Sequence, residues 1–190
     1  MRELILYLEP PVGFKQHVNS FLDMSKDKFG FTTANRYNCH VSMSGFFTVT
    51  DREQEVVQKA IEKVMDKLPM VQVQLTPLLV YTNDKPSHLL LPVVAPSFVH
   101  TMMASIAQEC QDIVKLRLKK INHISLAYWN EQQKEWNPIV LKDIKKEADA
   151  WFKQTKEPKD TWDIVLYRRT KKSEEIGQPH VFEELKRWHG

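Results

Sequence analysis

Two short words in the chain pair a histidine with a hydroxyl. His40-Val41-Ser42 lies within Cys39–Ser44, and His123-Ile124-Ser125 lies within Asn122–Ala127. Both sit in apolar, β-prone runs far apart in the chain. Along a strand, successive side chains alternate faces. His40, Ser42 and Ser44 therefore share one face, with Val41 and Met43 on the other. The same parity groups His123, Ser125 and Ala127 opposite Ile124, Leu126 and Tyr128. An apolar face anchors a strand in a core, while a polar face can line a cleft. Unperturbed imidazole titrates at about pH 6.5, so one histidine of a pair can be neutral while the other is protonated. Brought face to face, the two supply a general base and a general acid. The serines can hold the non-bridging oxygens of a phosphate. This is the equipment of phosphodiester cleavage without a metal.

Other chemistries lack their residues. Cys39 is next to His40, but strand neighbours point to opposite faces, so they cannot form a thiol–imidazole dyad; Cys39 is read as buried. The chain has no His-x-x-x-His, Cys-x-x-Cys or His-Glu-x-x-His, so no metal site and no cofactor is expected. His17, His88, His100, His180 and His189 are read as ordinary polar residues.

Bulk properties agree with a globular domain. The chain has 190 residues, 42% hydrophobic and 27% charged, which suits one domain with a sizeable core. Its net charge of +3 permits an anionic substrate without demanding one. The two cysteines make no disulfide framework, which fits a reducing compartment. The N-terminal apolar run is too short for a signal peptide, and no stretch is long enough for a membrane span. An intracellular monomer, cytoplasmic or nuclear and with no membrane partner, is expected.

The elements that must position the motifs follow from periodicity. Leu4–Leu8 is a strand ended by Pro10-Pro11. Residues 12–27 carry Phe14, Val18, Phe21 and Leu22 on one helical stripe. Cys39–Val49 is the first motif strand. Asp51 is placed as N-cap of a helix ending before Pro69, with Val56, Val57, Ala60, Ile61, Val64 and Met65 apolar. Val71–Tyr81 and Ser87–Val94 are strands around a turn at Asn83-Asp84-Lys85-Pro86. A helix opens at Pro96-Ser97 and runs to about Ile113, with Val99, Met102, Met103, Ile106 and Ala107 inward. Lys119–Tyr128 is the second motif strand. Pro138–Phe152 is a helix and Thr161–Tyr167 a strand. The polar tail, 171–190, is expected to be irregular, or a short helix near Phe182–Trp188. Helix followed by motif strand thus occurs twice, a weak internal repeat. With five glycines and no Gly/Ser linker, the expected arrangement is one rigid domain of two lobes.

The paired words His40-Val41-Ser42-Met43 and His123-Ile124-Ser125-Leu126 match the repeated His-x-(Ser/Thr)-x signature of the two-histidine (2H) phosphoesterase superfamily, which the chain resembles over roughly residues 38–130. Within it, three segments resemble the exonucleases that trim the 3′ end of a spliceosomal small nuclear RNA. They are Leu79–Lys85, Leu89–Val93 and His123–Trp129. The resemblance implies a duplicated α+β fold with two antiparallel sheets facing a central cleft and helices outside. It implies His40 as base and His123 as acid, an order the residues alone leave open. It tilts the expected activity toward RNA 3′-end processing, with a 2′,3′-cyclic phosphate as product or substrate. Two alternatives stand beside it. One is a phosphodiesterase for 2′,3′-cyclic or 2′,5′-linked small nucleotides. The other is a catalytically silent RNA-binding module.

Further substrate contacts are expected around the motifs. Arg36 and Lys85, at loop positions, are candidates for phosphate. So are Arg168, Arg169, Lys171 and Lys172 after the last strand. Tyr37 and Trp129 are candidates for stacking on bases. Tyr128 has the core-facing parity. The run Lys115–Lys120 is read as a solvated face.

Overall fold

The computed structural model describes residues 1–66, 68–76, 81–82, 88–129, 138–175 and 177–190, with the backbone alone described at 81, 82 and 138. In chain order the elements are β1 (Arg2–Glu9), α1 (Val12–Phe29), a 3₁₀ turn (Thr33–Arg36), β2 (Val41–Ser42), β3 (Phe47–Val49) and α2 (Asp51–Met65). Then come β4 (Gln74–Leu75), β5 (Tyr81–Thr82), β6 (His88–Val94), α3 (Ser97–Glu109), β7 (His123–Tyr128), α4 (Pro138–Phe152), β8 (Asp163–Lys171) and β9 (Val181–Trp188). The fold is α+β, and every pairing between its strands is antiparallel.

Helix stripes and strand parity account for the core. Phe14, Val18, Phe21 and Leu22 of α1 are all buried, as the spacing requires. So are Val57, Ile61 and Met65 of α2, while Val56 remains outside. These stripes meet the even positions of β1 (Leu4, Leu6, Leu8), Val41 of β2, the odd positions of β6 (Leu89, Leu91, Val93) and Ile124 of β7 in one cluster. Full burial of such a side chain is worth about 1.5–3 kcal/mol. Ile5, Tyr7 and Glu9 face the other side of β1 and are also buried, at 4% exposure each. Something therefore covers the second face there, and that is where the site lies.

The strands follow one hydrogen-bonded path, β4-β6-β7-β2-β1-β8-β9, with β3 on β1 and β5 on β6. The two sheets expected from the repeat are thus continuous. They join where β2 meets β7 through a single pair, Val41 opposite Ile124. The first motif strand is shorter than expected. It breaks after Ser42 and resumes at Phe47, with Gly45 between. The N-cap of α2 is Thr50, one residue before the expected Asp51. Its hydroxyl accepts from the Glu53 N–H while the Glu53 carboxylate accepts from its own N–H. The expected turn at Asn83–Pro86 lies outside the described residues.

The tail departs most from expectation. Val181–Trp188 is neither irregular nor helical but an edge strand hairpinned on β8. Edge strands carry charge on exposed positions, which hides their alternation. Here Glu183 pairs with Arg168, and Arg187 bonds Asp163, Glu9 and Glu184 at 3.0, 3.0 and 2.6 Å. Apart from Glu184 on the same strand, those partners come from β8 and β1, so local pattern could not reveal them.

Candidate active site

The single pair Val41–Ile124 sets the site. In an antiparallel ladder the flanking positions then face each other: His40 lies across from Ser125, and Ser42 across from His123. Val41 and Ile124 are both 1% exposed on the core face. Their neighbours, His40, Ser42, His123 and Ser125, therefore form a square on the opposite face. The histidines occupy one diagonal, whose positions lie about 7–8 Å apart with the Cβ atoms somewhat closer. β1 extends both rows, because Tyr7 pairs with Ser42 and Leu8 with Val41. That brings Tyr7 beside Ser42 and Glu9 beside His40.

His40 is held in one tautomer. Its Nδ1 donates to the Asn38 carbonyl at 2.6 Å, a partner that can only accept. In the neutral ring Nε2 is then the basic nitrogen, and it lies 3.2 Å from Ser42 Oγ. Tyr7 stacks on the imidazole, with ring centroids 3.7 Å apart and planes 28° apart. His40 keeps some exposed surface, yet it stands deep among protein atoms. Burial pushes its pKa down to about 4, against the Asn38 carbonyl and Glu9, which raise it. His123 has its Nδ1 2.8 Å from Asn122 Oδ1. Burial lowers its pKa too, helped by His88, Lys119 and Lys120.

A cavity of about 230 Å³ opens over three corners of this square, His40, Ser42 and Ser125, while His123 stands outside its lining. Its lining includes Tyr7, Tyr37, His40, Ser42, Ser125, Tyr128, Arg117 and Lys119. Ser44, which shares the parity of His40, also lines it, but its Oγ is committed to the Leu6 N–H at 3.1 Å. The Arg117 guanidinium lies over Gly45. A Cβ there would fall 2.6 Å from Arg117 Nε, so glycine leaves room for the cation. The basic run taken for a solvated face thus sends Arg117 and Lys119 to the cleft. Their shared parity was the available signal.

The other expected contacts divide. Tyr37 lines the cleft and packs edge-on against His40, with centroids 5.8 Å apart. Tyr128 and Trp129 both pack against the core, as expected for Tyr128, but Tyr128 also lines the cleft. β7 carries one extra residue where Leu89 pairs with Ala127 but Leu90 pairs with Ser125. This bulge at Leu126 reverses the parity beyond it. Ala127 turns into the core, Tyr128 turns to the cleft, and Trp129 packs against the core. Lys85 lies outside the described residues. Arg168 and Arg169 are engaged by acids: Arg168 with Glu183, and Arg169 with Glu3 at 2.7 Å while lying over Phe46. Lys171 and Lys172 are exposed and line neither cavity at His40. Cys39 is buried, as expected, with its N–H on Asn19 Oδ1.

Arg36 straps the turn that follows β8. It is 6% exposed, and its Nη1 donates to the Ser173 carbonyl at 2.6 Å. Its own carbonyl accepts from the His180 N–H. Arg36→Met should therefore cost roughly 1–3 kcal/mol of stability and leave KM unchanged. Denaturant unfolding and KM, measured together, check this. A severalfold rise in KM at wild-type stability would restore Arg36 to the substrate.

Tyr7 and the aromatic end of the tail had no signal in the sequence. Tyr7 sits in an apolar strand where parity alone says little, and its partner His40 arrives only by strand pairing.

Among the described residues, no helix is long and apolar enough to cross a membrane, and no three His, Cys, Asp or Glu side chains converge as metal ligands would. No protein-family model matches the chain. No curated protein matches it in sequence. Solved structures do match. Escherichia coli LigT in its apo form is 12% identical over 98% of this chain and 96% of that one, with a TM-score of 0.55. E. coli LigT complexed with 3′-AMP is 10% identical over 98% and 97%, also at 0.55. Kluyveromyces marxianus Usb1 aligns more loosely, 11% identical over 97% and 98%, at 0.40. The chain therefore has the LigT fold, in agreement with the fold that the two His-x-Ser words imply.

Proposed function

We propose that the chain is a phosphodiesterase acting on RNA 3′ ends, with His40 as general base and His123 as general acid. The observation that carries this reading is the square in which the two histidines sit diagonally and the two serines complete the corners. A phosphodiester seated over it has a basic nitrogen on one side and a proton donor on the other. Arg117 and Lys119 at the rim supply positive charge. A protein of the same fold is complexed with 3′-AMP, a ribonucleotide with its phosphate on the 3′ oxygen.

The step balances without a cofactor. His40 Nε2 removes the proton of the ribose 2′-hydroxyl, whose oxygen attacks phosphorus. The P–O5′ bond breaks, and protonated His123 delivers its proton to the departing 5′ oxygen. The products are a shortened RNA ending in a 2′,3′-cyclic phosphate and a nucleoside with a free 5′-hydroxyl. His40 is suited to the base because its lowered pKa keeps it neutral and the Asn38 carbonyl fixes the lone pair on Nε2. Ser42 is placed to release Nε2 and turn to a non-bridging oxygen once substrate arrives.

Product analysis on two substrates tests the reading: an oligoribonucleotide with a free 3′-hydroxyl, and a nucleoside 2′,3′-cyclic phosphate. Shortening of the oligomer to a cyclic-phosphate end is the expected result. Opening of the cyclic phosphate alone would make water the nucleophile and the protein a cyclic phosphodiesterase.

A further inference from the structure

A second cavity, of about 370 Å³, adjoins the first and shares Tyr7, Tyr37, Asn38 and His40 with it. The two differ in charge. Among the described residues the first is lined by Arg117 and Lys119 and by no carboxylate. Among them the second is lined by Glu9 and Glu184 and by no lysine or arginine. A phosphate suits the first; the carboxylates of the second are paired with Arg187 and Lys15, so it offers a phosphate no cation of its own. What the second offers is aromatic surface. Phe182 of β9 stands among Tyr37, Tyr7, Tyr167 and His180, with ring centroids 6.0–6.3 Å away. Such a wall stacks a flat ring without reading its identity closely.

One buried polar group at this cavity lacks a partner in the protein, and a second ring presents a donor there. Among the described residues the Tyr7 hydroxyl is buried with no hydrogen-bond partner, although Tyr7 lines both cavities. Its phenol is held well above its ordinary pKa by burial, so it remains a donor. His180 Nδ1 accepts from the Ser173 N–H at 3.0 Å, which places the proton of the neutral ring on Nε2. A buried donor without a partner costs free energy unless a ligand takes it.

We infer that this aromatic cavity binds the base of the nucleotide that carries the attacking 2′-hydroxyl. The assignment rests on the proposed reaction, since His40, the residue given the role of base, lines the cavity. The base that activates the 2′-oxygen must stand beside that nucleotide's ribose. The nucleobase is joined to the adjacent carbon, so it lies on the same side. The leaving nucleoside lies toward His123.

Binding of uncleavable oligonucleotides tests this apart from turnover. The nucleotide 5′ to the scissile phosphate is made 2′-deoxy, either with its base or as an abasic spacer, and Kd is measured for wild type, Phe182→Ala and Phe182→Leu. Wild type should bind the base-bearing oligomer about 5- to 150-fold more tightly than the abasic one. In Phe182→Ala this ratio should fall toward one. Phe182→Leu, which keeps an apolar wall but no π face, should fall between. An abasic spacer 3′ to the phosphate should give the same ratio in all three proteins. A ratio near one in wild type, or one unchanged in both variants, overturns the assignment. If the all-ribose oligomer is not cleaved while the ratio behaves as stated, the cavity stands and the proposed reaction falls.

Discussion

Replacing His40 with alanine lowers kcat on an oligoribonucleotide by roughly 10²–10⁴-fold, the usual contribution of a positioned proton-transfer group. His123→Ala does the same, and the double variant loses much less than the product of the two, because the pair acts on one transition state. The fold survives both changes, since Val41 and Ile124 anchor β2 and β7 from the core face. Circular dichroism and thermal unfolding check that half of the result, and single-turnover cleavage checks the other. A silent RNA-binding module would show no turnover to lose. The pH dependence of the wild type follows from the same assignment. His40 must be neutral to act as base, so kcat/KM falls as pH drops through about 4. His123 must be protonated to act as acid, and its pKa is held below its ordinary value. Activity therefore falls again as pH rises through that lowered value. The resulting bell has its maximum below about pH 6.5. A flat profile, or a maximum above neutrality, would contradict the roles of both histidines.

Removing the hydroxyls at the other two corners is the second large effect. Ser42→Ala and Ser125→Ala should each lower kcat by about 10²–10³-fold, as loss of a donor to a developing oxyanion does. KM should change far less, because the non-bridging oxygens gain charge as the attacking oxygen closes on phosphorus. Threonine restores the hydroxyl on a strand that tolerates β-branching. Ser125→Thr should therefore recover most of the rate. Ser42 carries an added consequence, because its Oγ lies against His40 Nε2 in the free protein. Its loss should also shift the acid limb of the pH profile, whereas loss of Ser125 should not. If both alanine variants retain kcat within about threefold, the serines are ordinary strand residues and phosphate orientation must come from elsewhere.

The helix stripes and the two His-x-Ser words were legible because they depend on periods local to one element. The stripe Phe14, Val18, Phe21 and Leu22 is buried where a 3.6-residue repeat puts it. The outer contacts were less legible. Arg36 looked like a loop cation free to meet phosphate. Its actual partners are carbonyls of the turn between β8 and β9, far away in sequence. Lys119 and Arg117 looked like a solvated run because a charged strand edge and a cleft rim have the same local pattern.

By itself, the sequence determined that each histidine shares a strand face with its serine, because a period of two admits no other arrangement over three residues. It determined the helices and the core they bury. Only the tertiary structure decided that the two pairs meet, through one residue pair between β2 and β7. It also decided that Tyr7 lies on His40 and that a polar tail becomes the strand carrying Phe182. The same holds for Tyr128 and Trp129. One inserted residue at Leu126 turns every later side chain of β7 over. A bulge is a property of a strand and its neighbour together, and parity counted along one strand cannot contain it.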